Sequence, residues 1–438
     1  MKDKKLIKGF SKLTKNQKID LVLDETIASK ESKEIISSFW HEDSKVQKIL
    51  DEFSENTITN FPLPFGVVPN FILNNEVHMV PMVIEESSVV AACANSAKFW
   101  GTRGGFHAEI LGVKKVGQVH FTTSIDSAEV KRIFSEQKEV LLNSVSPLID
   151  KMEKRGGGIL SLDLIDKTMD LKDYYQLFLE FDTCDAMGAN FINSVLESMS
   201  KKLKIILEQG SSSSDSVEIV MSILSNYTPE CIVRASVECP VEQLSDPSVA
   251  LSGEQFAKKL KQAVDIARVD SYRATTHNKG IFNGVDAVIL ASGNDFRAVE
   301  ACGHTFACRD GMYRGLTKAS IEDGVFRMWL DLPLAVGTVG GLTSLHPLSK
   351  LALQMLGNPS AKSLMQITVA AGLAQNFGAL RSLVTTGIQK GHMKMHLMNI
   401  LNQLNATELE RNAAVEYFKT ETVSFQKTRE LLERLRSE

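Results

Sequence analysis

The sequence predicts an α+β protein, and three observations support that class. Helical hydrophobic spacing dominates both ends of the chain, and two strand-helix-strand units occupy residues 111–222. Short β-branched segments bounded by Pro and Asn precede them. Two such units are typical of a small ferredoxin-like domain. We therefore expect that domain to be inserted into a large, mainly helical one, with a helical C-terminal segment after it.

The first elements follow from residues 11–84. Apolar side chains recur at helical intervals over 11–53, which predicts a helical N-terminal arm. Residues 55–84 contain several prolines, β-branched residues and the turn Asn74-Asn75, so we expect loops and a hairpin there. A helix from about Ser88 to Phe99 follows.

The next elements form the small domain and the rest of the large one. The pattern is strand, helix, strand over 111–170, then a strand at 173–183 and a helix from Ala189 to Glu208. In the large domain, DAVILA (286–291) favours a strand between long helical stretches, and a glycine-rich loop follows at 337–344. The predicted boundaries are 1–110 with 223–380 for the large domain, 111–222 for the small domain and 381–438 for the C-terminal segment.

Composition excludes several classes of function. Lys plus Arg number 49 against 53 Asp plus Glu, and the net charge of −4 gives no general electrostatic reason to bind nucleic acid. No apolar stretch approaches the roughly 18 residues needed to cross a bilayer, and the N-terminus has no signal-peptide core. The six cysteines form no CxxC pair, so we expect free thiols and no metal site. These features predict a cytoplasmic protein without a membrane contact.

Two polar residues flank the DAVILA segment. Lys279 lies in HNKG, and Asp295 follows sixteen residues later in GND. If a strand between them returned the carboxylate towards the ammonium, the pair would suit stabilisation of an oxyanion. Taken alone, a Lys and an Asp at that separation are more typical of a solvated surface pair.

Other residues suit proton transfer and phosphate binding. His392, which follows Gly387 and Gly391, could donate a proton near neutral pH from a hinged segment, or be a surface histidine. Glu86 could donate a proton if buried, although acidic residues before a helix also favour its dipole. The chain lacks GxGxxG and GxxxxGK[ST]; DAMGAN (185–190) instead enters a helix whose free N–H groups can bind a pyrophosphate.

Three blocks of this sequence resemble the class II 3-hydroxy-3-methylglutaryl-CoA (HMG-CoA) reductases: EESSVVAACANSAK (85–98), THNKGIFNGVDAVILASGND (276–295) and GIQKGHMKMH (387–396). The resemblance implies reduction of HMG-CoA to mevalonate by two hydride transfers from a nicotinamide cofactor, with release of coenzyme A. It places the catalytic glutamate, lysine, aspartate and flap histidine on Glu86, Lys279, Asp295 and His392. It places substrate contacts on Arg273, Asn283 and Ser88, and cofactor contacts on Asp185, Met187, Gly188 and Asn190.

The resemblance also implies roles for the domains and an assembly. Residues 1–110 and 223–380 would bind substrate and dimerise, 111–222 would bind the dinucleotide, and 381–438 would form the flap. The implied assembly is a homodimer, or an oligomer of dimers, with sites between subunits.

One departure bears on the cofactor. NADH-preferring relatives have an aspartate after GGG, whereas this chain has Ser161. A carboxylate at this position would repel the 2′-phosphate of NADPH, and serine would not. Ser161 therefore favours NADPH and the biosynthetic direction. Asp163 would restore NADH preference if the alignment shifts by two residues, and the degradative direction with NAD stays open.

Two competing hypotheses remain. Cys302 and His304, in ACGH, would share a face of a strand and could act as nucleophile and base in acyl transfer. A non-catalytic helical scaffold that binds coenzyme A would have no need for Glu86, Lys279 and Asp295.

Overall fold

The computed structural model describes residues 6–26, 31–211, 216–245, 251–385 and 397–437. His392 and the rest of GIQKGH lie outside these ranges. The chain forms two compact units, Met1–Pro64 with Leu345–Pro347, and Phe65–Ser344 with Leu348–Glu438. Helices and three small antiparallel sheets confirm the α+β class. Among the described residues, no helix combines the length and hydrophobicity required to cross a bilayer.

The first unit is helical, as predicted. Thr14 and Gln17 form a capping box that begins the first helix, and the Asp43 carboxylate caps the third. The Trp40 indole donates to the Ile58 carbonyl over 3.0 Å and so ties the loop after the third helix to the arm. The helices are α1 (Lys15–Glu25), α2 (Glu31–Ser38) and α3 (Ser44–Asp51).

The second unit begins with the predicted hairpin. Asn74 and Asn75 have φ values of 50° and 68°, and the Leu73↔Glu76 pair encloses them in a two-residue turn. Asn tolerates this left-handed conformation, so the predicted turn position is confirmed. The elements are β1 (Phe65–Leu73), β2 (Glu76–Val83), α4 (Val89–Gly101) and β3 (His107–Ile110).

The small domain is a four-stranded antiparallel sheet with strand order β5-β6-β4-β7. Alternate residues of β4 and β6 are buried against α5 and α7, which matches the period-two pattern used to predict the strands. The topology is ferredoxin-like, as predicted. The elements are β4 (Lys115–Thr123), α5 (Ser127–Ser144), α6 (Ser146–Glu153), β5 (Gly158–Asp166), β6 (Tyr174–Asp182), α7 (Ala189–Gly210) and β7 (Val217–Ser225).

The chain then completes a second four-stranded sheet of order β3-β8-β10-β9. Helix α13 packs against α9, α4 and β8 and is buried along most of its length. The elements are β8 (Ile232–Pro240), α8 (Gly253–Val269), α9 (Ser271–Ala291), α10 (Phe296–Ala307), β9 (Thr317–Glu322), β10 (Val325–Pro333), α11 (Leu342–Leu345), α12 (Pro347–Met355) and α13 (Ala361–Val384). Helical residues 397–403, α14 (Glu408–Tyr417) and α15 (Phe425–Ser437) share a separate small core.

The strand prediction for DAVILA (286–291) is wrong, because these residues are the last turns of α9. The Asp270 carboxylate caps α9 at the Tyr272 and Arg273 N–H groups, and the helix continues unbroken to Ala291. Both α13 and β2 pack against α9, so its apolar residues are buried on several sides. A short apolar run buried in this way has no periodicity that distinguishes helix from strand.

Candidate active site

Lys279 and Glu86 meet at the centre of the candidate site. Lys279, on α9, donates from Nζ to Glu86 Oε2 over 2.5 Å. Asn283 lies one helical turn further along α9, and its Nδ2 is 3.5 Å from the same oxygen. Glu86 lies between β2 and α4, almost two hundred residues earlier. The fold therefore brings together three of the residues singled out in the sequence.

The pair is open to solvent. The Lys279 side chain is 60% exposed and that of Glu86 is 39% exposed. Water screens an ion pair with this exposure, so it adds little to the free energy of folding. The ammonium is accessible to a ligand that approaches α9 from outside.

The turn that carries Glu86 has an unusual backbone. Ser88 has φ 79° and ψ −15°, and it begins α4 without a side-chain capping hydrogen bond. A non-glycine residue in the left-handed region costs on the order of 1 to 3 kcal/mol, and such residues cluster at functional sites. The Ser88 hydroxyl is thus not used to cap the helix.

Asp295 has a different partner from the one predicted. Its carboxylate caps α10 at the Arg297 and Ala298 N–H groups, and it pairs with the Arg297 guanidinium over 3.1 Å. The predicted Lys279–Asp295 pair is therefore not formed. The expected strand is a helix, and the cap position directs the carboxylate to the start of its own helix.

Arg273 lies in a concave pocket of about 460 Å³ between α9 and α13. Burial lowers the pKa of its guanidinium, while the charge of Asp270 acts in the opposite direction. His277 in the same pocket is buried and hydrogen-bonds Thr317; its pKa is lowered to about 3, mainly by burial, so its ring is neutral at pH 7. A half-buried guanidinium of this kind suits a carboxylate or phosphate group.

The predicted dinucleotide loop enters α7 at Gly188, which has φ 102°. No side chain caps α7, so the N–H groups of its first turn, which includes Asn190, are available to an anion. A Cβ at Gly188 would lie 2.7 Å from Thr183 Cγ2, so the close approach itself requires glycine.

The loop also packs against the glycine-rich loop 337–344. A Cβ at Gly337 would lie only 2.4 Å from the Met187 nitrogen. Asp185 Oδ1 accepts from the Ala361 N–H over 2.7 Å and so caps α13. The structure thus gives the Asp185 carboxylate a structural partner within the chain.

Ser161 lies on edge strand β5 and pairs in register with Glu180 of β6. Its Oγ donates to Glu180 Oε2 over 3.1 Å, and Lys114 Nζ lies 3.1 Å from that carboxylate. Asp163 is 3.7 Å from Lys138. Position 161 lacks a carboxylate, but the neighbouring strand supplies one.

The family model described as hydroxymethylglutaryl-coenzyme A reductase matches residues 19–397. The chain belongs to the hydroxymethylglutaryl-coenzyme A reductase family.

Relatives and solved structures of this family cover nearly the whole chain. A 3-hydroxy-3-methylglutaryl-coenzyme A reductase of Archaeoglobus fulgidus is 33% identical over 436 residues, which cover 98% of this chain and 95% of the relative. A probable reductase of Borreliella burgdorferi is 32% identical over 445 residues, with coverage of 99% and 98%. A reductase structure from Streptococcus pneumoniae has a TM-score of 0.72 at 34% identity and covers 98% of this chain and 99% of its own.

A second Streptococcus pneumoniae structure is described as the class II enzyme bound to NADPH in open conformations. It has a TM-score of 0.71 at 34% identity and covers 86% of this chain and 99% of its own. The predicted resemblance to this reductase family, and with it the prediction of an oxidoreductase, is confirmed.

Within a reductase of this family, Cys302 and His304 are structural residues. They lie on helix α10, not on a strand, so side chains two residues apart point to different sides and the acyl-transfer geometry is lost. Cys302 is buried and accepts from the Thr228 N–H, and burial raises the pKa of its thiol. His304 Nδ1 lies 2.8 Å from the Tyr313 hydroxyl. All six cysteines are free.

Sequence reasoning missed one partly buried ionisable group on α9, the helix that carries Lys279. Asp286 lies on α9 one turn beyond Asn283, and the carboxyl of Glu300 on α10 faces it. Burial, and after it the charges of Glu300 and Glu85, raise the pKa of Asp286 to about 8. The sequence did contain a signal for this group, because Asp286 is the one carboxyl inside the otherwise apolar run GVDAVILA.

Proposed function

We propose that this member of the HMG-CoA reductase family reduces the HMG-CoA thioester to mevalonate and releases coenzyme A. The observation that carries the proposal is the Lys279–Glu86 contact, with Asn283 at the same carboxylate oxygen. An exposed cation, a carboxylate and an amide donor are thereby held together on an accessible face of α9.

Lys279 is suited to stabilise negative charge on the substrate. Hydride arrival at the thioester carbon moves an electron pair onto the carbonyl oxygen, and a fixed ammonium beside that oxygen lowers the barrier. The bound nicotinamide dinucleotide supplies the hydrides. Glu86 accepts from this ammonium, and its protonated carboxyl is proposed to deliver the proton that the alkoxide of the second reduction takes up.

His392 is proposed to protonate the departing coenzyme A thiolate, as the sequence resemblance implies. We expect His392→Ala to slow thiol release from HMG-CoA while mevaldehyde reduction stays comparatively intact, because only the first stage has a thiolate leaving group. The measurement compares thiol trapping with HMG-CoA and nicotinamide oxidation with mevaldehyde. An equal loss in both half-reactions would contradict this role.

The dinucleotide is proposed to bind where DAMGAN enters α7, through Gly188 and the uncapped N–H groups of the first turn. Ser161 favours NADPH, as argued from the sequence. The Glu180 carboxylate 3.1 Å from Ser161 Oγ favours NADH as a second candidate, because it would repel a 2′-phosphate unless Lys114 offsets it. Initial rates of HMG-CoA reduction with NADPH and NADH distinguish the two, and absence of turnover with both would reject the proposed function.

We further propose a cytoplasmic homodimer whose sites lie between subunits, with the domain boundaries given above. Asp295, Arg273 and Ser88 keep their proposed catalytic and substrate-binding roles. The solvent exposure of the Lys279–Glu86 pair supports this assembly, because a partner subunit could enclose what one chain leaves open.

A further inference from the structure

Lys115, the first residue of β4, has its ammonium buried beneath the dinucleotide loop. The residue is only 5% exposed. Its Nζ donates to Thr183 Oγ1 over 2.6 Å and to the Ala186 carbonyl over 2.7 Å. Both acceptors are neutral oxygens, whereas Asp182 and Asp185 act on Lys115 through their charge without a hydrogen bond.

The two acceptors belong to one tight turn. Thr183 Oγ1 donates to the Ala186 carbonyl over 2.7 Å, and the Ala186 N–H donates to the Thr183 carbonyl over 3.0 Å. Lys115 therefore closes a ring of hydrogen bonds around the turn. Gly188, two residues later, packs against Thr183 and begins α7. The position of the turn thus determines where the open N-terminus of α7 lies.

An apolar side chain at position 115 would fill this buried space at a lower cost in free energy. A small cavity beside Lys115 is lined by Met187 and Ile192 from the loop and α7, and by Thr228 and Cys302 from the large domain. Moving an ammonium out of water is expensive unless its charge is used. Packing alone therefore does not explain a lysine at position 115.

We infer that Lys115 is a cofactor-positioning residue, whose ammonium fixes the Thr183–Gly188 turn and adds a positive charge beside the uncapped first turn of α7. It favours the pyrophosphate of a nicotinamide dinucleotide without touching the reacting atoms. The inference rests on the proposed function, since it takes the dinucleotide to bind at α7.

The test is Lys115→Met in the full-length chain, with coenzyme affinity measured by the fluorescence of NADPH and NADH. Loss of a charge-assisted contact raises both dissociation constants by about tenfold. The two coenzymes are affected equally because they share the pyrophosphate. The value of kcat at saturating coenzyme and the KM for HMG-CoA stay within about twofold of the wild-type values.

The matched control is Lys154→Met, which removes the same charge from the same domain. Lys154 is exposed and pairs with Asp150 on α6, so its loss leaves both affinities unchanged. Lys115→Arg keeps the positive charge and restores part of the affinity.

The pH dependence of coenzyme affinity separates the effect of the Lys115 charge from the effect of its shape. Burial lowers the pKa of Lys115, so wild-type affinity for NADPH falls on the alkaline side as the ammonium loses its proton. Cys231, Cys184, Asp182 and Asp185 face Lys115. The pKa values of both thiols are raised by burial. The alkaline loss is absent in Lys115→Met.

A folded Lys115→Met variant with wild-type affinity for both coenzymes overturns this inference alone. A wild-type chain that binds neither coenzyme overturns it together with the proposed function. If Lys115→Met does not fold, Thr183→Val decides, because it removes one acceptor and keeps the charge. Weaker coenzyme binding with unchanged kcat then supports the inference, and unchanged binding overturns it.

Discussion

At the scale of single residues, the Lys279–Glu86 contact combines exposure with a short distance between opposite charges. Because water screens the pair, its removal changes stability little. We expect Lys279→Met to lower kcat by at least about 100-fold, the cost typical of losing a group that stabilises an oxyanion. The melting temperature should stay at the wild-type value.

A matched control is Lys258→Met. Lys258 is an exposed lysine on α8 that pairs with Glu254, so the same charge is lost from another face. Steady-state kinetics on both variants, together with thermal melting, check the prediction. Wild-type turnover in Lys279→Met would contradict the role given to this ammonium.

Asp286 predicts a pH-dependent stability. Its pKa is raised from 3.8 to about 8 in the folded chain, so the folded state holds a proton that the unfolded state has released. The stabilisation is complete below the ordinary pKa and is lost as pH rises through about 8. Relative to Asp286→Asn, the wild-type urea midpoint should fall between about pH 5 and pH 8.

The control for this prediction is Asp150→Asn, an exposed carboxylate on α6. The urea midpoint of Asp150→Asn should change with pH in the same way as that of the wild type. The charged groups that face Asp286 are Glu300 and Glu85, and Glu300→Gln should weaken the same pH dependence. Parallel curves for the wild type and Asp286→Asn would contradict the raised pKa of Asp286.

Sequence patterns located some of these residues but not their partners. The family resemblance singled out Glu86, Lys279 and Asn283, which the fold brings together. The candidate Lys279–Asp295 pair, which spacing alone could not establish, does not form because Asp295 caps its own helix. Lys115 could not be found in advance, since its acceptors are 68 and 71 residues away and meet it only through the tertiary fold.

At the scale of elements, α9 carries the site and depends on its close approach to α13. A Cβ at Gly284 would lie 2.5 Å from the Ala371 carbonyl oxygen. This oxygen belongs to the main chain, so it cannot rotate away as a side chain could. We expect Gly284→Ala to lower the free energy of unfolding by about 1 to 3 kcal/mol through overpacking. Urea denaturation followed by far-UV circular dichroism measures the change.

Gly280→Ala is the matched control on the same helix. Apart from its chain neighbours and the backbone of its own helix, no described atom lies within 4 Å of a Cβ at Gly280, so the helix propensity of alanine should stabilise the chain by about 1 kcal/mol. Opposite signs at these two positions are the expected result. Equal effects would show that α9 and α13 are not in close contact.

The accuracy of the element predictions follows from how each element is buried. The strands of the small sheet were predictable because one face is buried and the other is not, which leaves a period of two. DAVILA was misassigned because α9 is buried on several sides there. The Ile159/Ser161 register shift on β5 leaves no such pattern in the sequence.

At the scale of the whole molecule, the proposed homodimer has a direct test by complementation. Lys279→Met should inactivate the substrate side of a site, and Gly188→Val should inactivate the cofactor side by displacing Thr183. If each site takes one side from each subunit, a mixed dimer holds one doubly altered site and one intact site. Co-expression should therefore recover activity that neither variant has alone.

Recovered activity should purify with the mixed dimer, isolated through a different affinity tag on each chain. Two inactive parents that give an inactive mixed dimer would place each site within one subunit. A monomer by sedimentation analysis would reject the assembly.

The α+β class and the inserted ferredoxin-like domain were predictable because alternating strand and helix patterns identify them without contacts. The domain boundaries stay predictions, and β7 continues to Ser225, beyond the predicted boundary at 222. Assembly could not be derived from patterning within one chain, since an interface between subunits has no periodicity of its own.

The central claim is that Lys279 serves a two-step reduction of a thioester. The most direct measurement follows the reduced-nicotinamide absorbance and the free thiol together during turnover of HMG-CoA, in the wild type and in Lys279→Met. The account predicts two reduced nicotinamides oxidised for each coenzyme A released, and loss of both signals in Lys279→Met. Thiol release without nicotinamide oxidation, or unchanged turnover in Lys279→Met, would contradict it.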